Sequence, residues 1–254
     1  MTIYRQRLAL LCILTLFFTA CTSKHYVVST VEGSWALMDS SWDRRVDPAF
    51  SQLILSYKQQ LEAEMNQVIG EAAQPMQNGF PQSLLTNLTS DALKQFGETT
   101  TGQPFDFAVT NVHGHRSSLN RGPITIGNMF EIYSFDNLVV MLELDGKAVR
   151  ELFEYYAWRG GEGLSTGVEL VIHDGKIASL EVGGKPVDEQ RIYKVVTLDY
   201  LAEGNDGMTA FQQAKSLQNT GITLRDVMID YVKQCTAAGK KVDSVLDNRI
   251  IIEK

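Results

Sequence analysis

Cysteine is nearly missing from this chain of 254 residues, which has three, at positions 12, 21 and 235. The first lies in an N-terminal leader and the second in a processing motif. Cys235 is left without an intramolecular partner, which excludes a disulfide framework. On its predicted helix it reads as a small buried hydrophobe. An excess of positive charge is also lacking: the net charge is -7, so there is no basic footprint for a nucleic acid. Only one long apolar run occurs, over residues 8–20, and it is too short to span the ~30 Å core of a bilayer as a helix. Histidine is scarce, with four residues, and the single H-x-H is His113-Gly114-His115. A hydrolytic metal centre needs more ligands than that, usually including carboxylates. The pair is therefore read as polar loop groups beside a pocket, and no metal site is assigned. The chain has no G-x-S-x-G, no G-x-x-x-x-G-K and no G-x-G-x-x-G, the motifs of a nucleophile elbow, a phosphate loop and a dinucleotide fold. No catalytic residue and no cofactor follow from it.

The leader itself is informative. Arg5 and Arg7 precede the apolar run, which ends in Thr19-Ala20-Cys21. That order is a bacterial lipobox: cleavage is expected before Cys21, whose thiol takes the lipids. Acyl chains hold a protein to a membrane with ~0.8 kcal/mol per buried methylene. The expectation is a lipoprotein of the bacterial cell envelope, at the outer membrane facing the periplasm. Residues 1–20 are the signal peptide, 21–46 an anchor and extension, and 47–254 the globular domain. The extension carries one strand-like stretch, Tyr26-Val27-Val28.

The remainder alternates helical and extended patterns. Pro48 opens an amphipathic helix in which Phe50, Leu53, Ile54, Tyr57, Leu61, Met65 and Val68 form one stripe, read as a core face, with Gly70 closing it. Ser83 caps a helix over residues 84–96. Residues 105–109 and 138–144 are strands, residues 126–132 a short helix and residues 148–158 a longer one. Asp174-Gly175 joins residues 168–172 and 176–182 as a hairpin. Residues 192–197 form another strand, Thr223 caps a helix with Asp226 three residues on, and residues 249–252 end the chain as a strand. Helices and hairpins intermixed in this way predict an α+β (mixed α/β) fold rather than a doubly wound parallel sheet. Arg159-Gly160-Gly161-Glu162-Gly163 reads only as a glycine-rich turn.

Three loops collect polar and aromatic groups: Asn111 to Thr125, Tyr133 to Asn137, and Tyr200 to Met208. Loops on a rigid scaffold are where binding groups concentrate. Two aromatic rings from separate loops can close on a planar base, each stack contributing about 1–3 kcal/mol.

The order of these segments resembles the C-terminal, substrate-binding domain of the 5'-nucleotidase and UDP-sugar hydrolase family. The resemblance rests on Asn111…Arg116, Gly122-Pro123-Ile124-Thr125, Phe135-Asp136-Asn137, Leu144-Asp145-Gly146 and Tyr200-Leu201-Ala202…Gly204-Asn205-Asp206-Gly207. Val68-Ile69-Gly70 and Asn87…Asp91-Ala92 resemble the family's opening helices. The resemblance runs from about residue 47 to 254. It implies a four-layer α/β/β/α sandwich. It further implies a ring-stacking pair at Phe135 and Tyr200, base-contacting groups at Asn137 and Asp206, Asn111 and Arg116 near base and ribose, and Gly167 lining the pocket. Val112 and His113 stand where the family has glycines, His115 where it has Ile, Ser134 where it has Pro, and Asp136 and Asn205 where it has Gly. Residues 74–86 lack the family's arginine. A carboxylate at 136 with few cations points to a nucleoside or monophosphate rather than a more highly charged ligand.

The family's hydrolysis belongs to a separate N-terminal two-metal domain, for which residues 22–46 leave no room. The expected function is nucleotide or nucleoside recognition in a split 5'-nucleotidase. Divalent metals would be carried by a separate metallophosphoesterase chain. The alternative is a non-catalytic nucleotide-binding lipoprotein, or a degenerate interaction lipoprotein whose pocket is vestigial.

Overall fold

The computed structural model describes Tyr4, residues 27–39 and residues 47–253. Most of the leader, the lipobox cysteine Cys21 and Tyr26 lie outside these residues. Contacts divide the chain into two units, Met1–Gln52 and Leu53–Lys254. In the first, Val27 and Val28 are exposed and irregular, not the strand expected of them. Strand propensity reflects packing against a neighbouring strand, and among the described residues none pairs with them.

Helix α1, Pro48–Met65, contains no buried residue. The apolar stripe expected to be a core face is open: Phe50, Leu53, Tyr57 and Leu61 are all exposed. Periodicity tells which side of a helix is apolar, not whether another element meets it. The helix also ends before Val68, because Val68–Ala72 is strand β1. Val68-Ile69-Gly70 is thus extended, not helical. Gly70 is there for a close approach: a Cβ on it would lie 2.5 Å from Val232 Cγ1.

The elements of the larger unit continue in chain order. Helix α2 (Leu84–Thr101) is followed by strands β2 (Phe107–Thr110) and β3 (Gly122–Thr125), then helix α3 (Ile126–Ile132) and strand β4 (Leu138–Asp145). Helix α4 (Gly146–Arg159) leads to β5 (Gly163–Leu164), β6 (Val168–His173), β7 (Lys176–Val182) and β8 (Ile192–Leu198). The short helix α5 (Asp199–Ala202), strand β9 (Ser216–Thr223), helix α6 (Leu224–Ala237) and strand β10 (Ile250–Glu253) complete it. The class is α+β, as expected. Among the described residues three sheets form, in the orders β1-β3, β10-β6-β7 and β5-β2-β8-β4-β9. Helix α2 packs on β2, β5 and β8, and α6 lies against β1, α2 and α3. Helix α4 touches β4 and β8 of the large sheet and β6 and β7 of the small one.

Local chemistry explains the boundaries. Ser83 and Thr86 cap α2 reciprocally, with Gly102 left-handed at its end. Thr223 Oγ1 accepts from Asp226 N at the start of α6. Asp174 and Gly175 both take positive φ, 48° and 69°, the turn that a two-residue hairpin favours. Cys235 is half-buried on α6 against the core. Among the described residues no helix is long and apolar enough to cross a membrane.

The large sheet sets up the site. Strands β2 and β8 run parallel, while β4 and β5 run antiparallel to them. The pairs Thr110↔Gly163 and Val139↔Leu198 close the registers at one end. At that one edge β2 and β8 finish, and β4 and β5 begin. Asn111, Tyr200, Asn137 and Glu162 therefore emerge side by side, although up to 89 positions separate them in sequence.

Candidate nucleoside-binding site

Asn111, Arg116, Phe135, Asn137, Tyr200 and Asp206 line one cavity of about 240 Å³, together with His113 and Gly114. Six of the seven residues that sequence reasoning selected for binding thus converge. Gly167 does not join them. It turns the chain into β6 at φ 95°, and a Cβ there would meet Asp106 O at 3.3 Å. The adjacent Thr166 N donates to Asp91 Oδ1 at 2.7 Å, so this glycine serves a backbone turn against α2.

A tight turn holds the polar wall. Asp206 adopts φ 52° in the 3-10 turn Asn205–Gly207, a conformation that costs energy for a side chain other than glycine's. Both of its carboxylate oxygens are used: Asn111 Nδ2 donates to Oδ2 at 2.6 Å and the Tyr200 hydroxyl donates to Oδ1 at 2.9 Å. The bond to Asp206, first, and then burial raise the Tyr200 pKa and keep the phenol neutral. Asn111 is buried, and its Oδ1, shut off from solvent, has no hydrogen-bond partner among the described residues. Gly114 makes room for this amide, since a Cβ there would lie 2.4 Å from Asn111 Oδ1.

The aromatic wall is open. Phe135 is 49% exposed and Tyr200 38%, so both rings are accessible where they line the cavity. The Arg116 guanidinium stands 5.8 Å from the centre of the Phe135 ring, within cation–π range. Asp136 is not in the cavity lining. Its carboxylate pairs with Arg225 Nη2, and Arg225 is itself seated on the Phe130 ring. The expectation that Asp136 burdens the site with negative charge is corrected on that ground.

The two histidines diverge. His113 lines the cavity, whereas His115 is buried behind it, with Nε2 2.9 Å from Thr89 Oγ1. Tyr133 OH is 2.8 Å from the same oxygen, and Thr89 Oγ1 donates to Leu85 O. The 3-10 turn Val112–Gly114 sends the two rings to different places, so this pair does not grip one metal. Among the described residues no group of three or more His, Cys, Asp or Glu converges as metal ligands.

Burial lowers the His115 pKa from 6.5 to about 4, against weaker opposing hydrogen bonds to the backbone of Val112 and Asn111. The unfolded chain therefore binds a proton between pH 6.5 and 4 that the folded chain refuses. Stability from this group is full above pH 6.5 and is lost as pH falls towards 4, by about 3 kcal/mol. His115→Leu should lose this part of the acid limb, because Thr89 keeps its bonds to Leu85 and Tyr133. Urea unfolding of both proteins at pH 7 and pH 4.5 measures it, and equal pH dependence in the two would refute the assignment.

One functional group escaped the sequence. Glu162 is buried, and its Oε2 accepts from Val112 N at 2.6 Å, pinning the Asn111–Arg116 loop from 50 residues away. Burial raises its pKa, and the bonds to Val112 and Arg159 oppose that rise. The glycines around it are required by crowding: at Gly161, with φ 108°, a Cβ would sit 2.1 Å from Pro81 O. A carboxylate among glycines was the only signal available, and it does not name its partner.

Comparison with known proteins gives the family and the fold. The family model described as 5'-nucleotidase, C-terminal domain, matches residues 59–213. Protein UshA of Escherichia coli K12 is 31% identical over 133 residues, covering 51% of this chain and 24% of that protein. The 5'-nucleotidase of Vibrio cholerae is 27% identical over 132 residues, covering 50% of this chain and 24% of the relative. The chain spans about a quarter of the length of these curated relatives. Among solved structures, the 5'-nucleotidase precursor of Thermus thermophilus superposes with a TM-score of 0.67 at 28% identity, over 80% of this chain and 42% of that one.

Proposed function

This chain belongs to the 5'-nucleotidase C-terminal domain family, and from that premise we propose that it is the nucleotide-recognising part of a split 5'-nucleotidase. The observation that carries the proposal is one cavity at one end of the large sheet, where the Phe135 and Tyr200 rings meet five polar side chains, those of Asn111, His113, Arg116, Asn137 and Asp206. In this reading a base stacks on Phe135 and Tyr200. Asn137 takes up its polar atoms or the ribose hydroxyls, and Asn111 and Arg116 lie along the same wall.

Asp206 acts first as an organiser, because both of its oxygens are already bound to the walls. Such preorganisation lowers the cost of ordering the site when ligand arrives. Hydrolysis belongs to a separate metallophosphoesterase chain, whose divalent metals activate water and neutralise phosphate charge. Lipidation of Cys21 would hold the recognition chain at the bacterial envelope, on the periplasmic side of the outer membrane.

The test is reconstitution. A metallophosphoesterase chain from the same genome, mixed with this protein and a divalent metal, should release phosphate from AMP or UMP at least tenfold faster than either chain alone. Phe135→Ala should cancel the gain. No gain with any such partner removes the split-enzyme reading. Retained nucleotide binding in that case identifies a non-catalytic nucleotide-binding lipoprotein.

A further inference from the structure

Two polar side chains grip the Val112 backbone at both ends. Glu162 Oε2 accepts from Val112 N at 2.6 Å. Asn78 Nδ2 donates to Val112 O at 3.0 Å and to His115 O at 3.2 Å. Val112 is itself buried and starts the 3-10 turn Val112–Gly114. Its neighbours Asn111, His113, Gly114 and Arg116 line the cavity, whereas Glu162 and Asn78 do not. What these two side chains decide is where the lining residues stand.

Both braces stand on fixed backbone. Glu162 comes directly before β5, and the pair Thr110↔Gly163 sets it beside the residues that follow β2. Gly163 packs so closely there that a Cβ would lie 2.0 Å from Thr110 Oγ1. The other oxygen of Glu162, Oε1, is held by Arg159 Nε at 3.5 Å. Asn78 comes two residues after Met76, whose N–H and C=O both pair with Leu119, at 2.8 and 2.9 Å. The segment before α2 is thereby tied to the far end of the loop that Asn78 holds near its start. Burying Val112 N without an acceptor is costly, so the loop keeps this course while Glu162 is in place.

We propose that Glu162 and Asn78 are the positioning residues of the cavity, keeping the Asn111–Arg116 loop on its binding course, and that a proton on Glu162 loosens the grip on the ligand. The proposal rests on the nucleoside reading of the cavity and adds what regulates it. Burial raises the Glu162 pKa above the ordinary carboxylate value, while Val112 N, Arg159 and His113 favour the anion. Tyr155 and Tyr156 of α4 also face this carboxylate. Burial first, and the Glu162 charge after it, raise both phenols and keep them neutral; Asp206 adds to the rise at Tyr155. A protonated Glu162 still has one oxygen for Val112 N, but it loses the charge that strengthens that bond and the ion pair with Arg159. Affinity is therefore full above the raised pKa and falls as pH drops through it.

Calorimetry on the full chain with adenosine, whose charge is constant between about pH 7.5 and about pH 5.5, tests it together with hydrogen exchange of the ligand-free protein. Wild-type affinity should fall severalfold over that range. Glu162→Gln, neutral at every pH, should bind about three- to fivefold more weakly at the upper pH and lose this part of the slope. Comparing the two slopes cancels His113, which both proteins keep. Asn78→Ala should weaken adenosine by a similar factor yet keep the wild-type slope. Glu162→Ala, which removes the acceptor, should lose about tenfold and open the Val112 amide to exchange. A general loosening of the fold would not divide affinity and slope between the variants in this way. Equal slopes in wild type and Glu162→Gln, or a Val112 amide as well protected in Glu162→Ala as in the wild type, would overturn the proposal. A wild type that binds no adenosine at any pH removes the nucleoside reading instead, and exchange at Val112 then decides the brace by itself.

Discussion

Phe135→Ala is expected to weaken adenosine and AMP binding by roughly ten- to a hundredfold. Stacking of one base on one aromatic ring contributes about 1–3 kcal/mol, and Phe135 offers its ring at the cavity wall with nearly half its surface free. The substitution should leave the fold intact. Phe135 lies outside the buried core, and changes at such surface positions usually stay within about 0.5 kcal/mol. The ring also faces the Arg116 guanidinium, so its loss frees that side chain and removes a second contact to the ligand.

Tyr200→Phe gives the informative comparison. It keeps the second ring but deletes the hydroxyl that donates to Asp206 Oδ1. The Asp206 turn would then rest on Asn111 alone, and a smaller loss, about three- to tenfold, is expected from weaker preorganisation. Calorimetric titration with adenosine at one salt concentration compares the three proteins. Unchanged affinity in Phe135→Ala, with the protein folded, would remove stacking from the account of this site.

The convergence of these residues was partly legible before any coordinates. Alternation and turn chemistry located the β6–β7 hairpin through Asp174-Gly175, and Ser83 and Thr223 marked the starts of α2 and α6. These signals are local, and local physics decides them. The six cavity residues were picked out by polar and aromatic loop composition and by resemblance of motif order. Neither of these says that the loops share one edge of the sheet. That fact comes from β2 and β8 running parallel with β4 and β5 reversed, a property of long-range pairing.

The misses have the same origin. Gly70 looked like a helix stop, but it answers to Val232 on α6, 162 positions away. Strand β9, Ser216–Thr223, is polar and mostly exposed, and it pairs only with β4 along one edge, so it shows no alternating apolar face to read. Asp136 looked like an uncompensated charge beside a stacking ring until Arg225 arrived from α6. Glu162 and Arg159 sat in a turn whose glycines were noticed and whose charges were not.

The largest effect on stability is expected at Arg249, which is far from the cavity in role. It precedes β10 and is 3% exposed, yet it is fully bonded. Nη1 and Nη2 donate to the two oxygens of Asp91 on α2 at 3.0 Å each. Nε and Nη2 reach Asp247, and Nη1 also donates to Leu164 O of β5 at 2.7 Å. Burial by itself would lower the guanidinium pKa, but the bonds to Asp247 and Asp91 outweigh it and hold the group charged. Asp91 also fixes Thr166 N, so one side chain ties α2, the turn before β6 and the terminal strand together. Replacing one member of a buried ion network strands its partners, at a typical cost of about 3–5 kcal/mol. The aspartates here are about one-third exposed, which discounts the figure to about 3 kcal/mol.

Arg249→Ala should therefore lower Tm by roughly 6–12 °C for a unit of this size. Arg249→Lys should recover only a minor part, since a single ammonium cannot match two carboxylates and a carbonyl in one plane. Adenosine affinity measured well below the transition should stay near the wild-type value, because no atom of this network lines the cavity. Urea unfolding of the three proteins decides the matter. A loss below about 1 kcal/mol in Arg249→Ala, well under the typical cost of stranding a buried ion partner, would mean that β10 docks through its parallel pairing with β6 and that the ion network merely accompanies it.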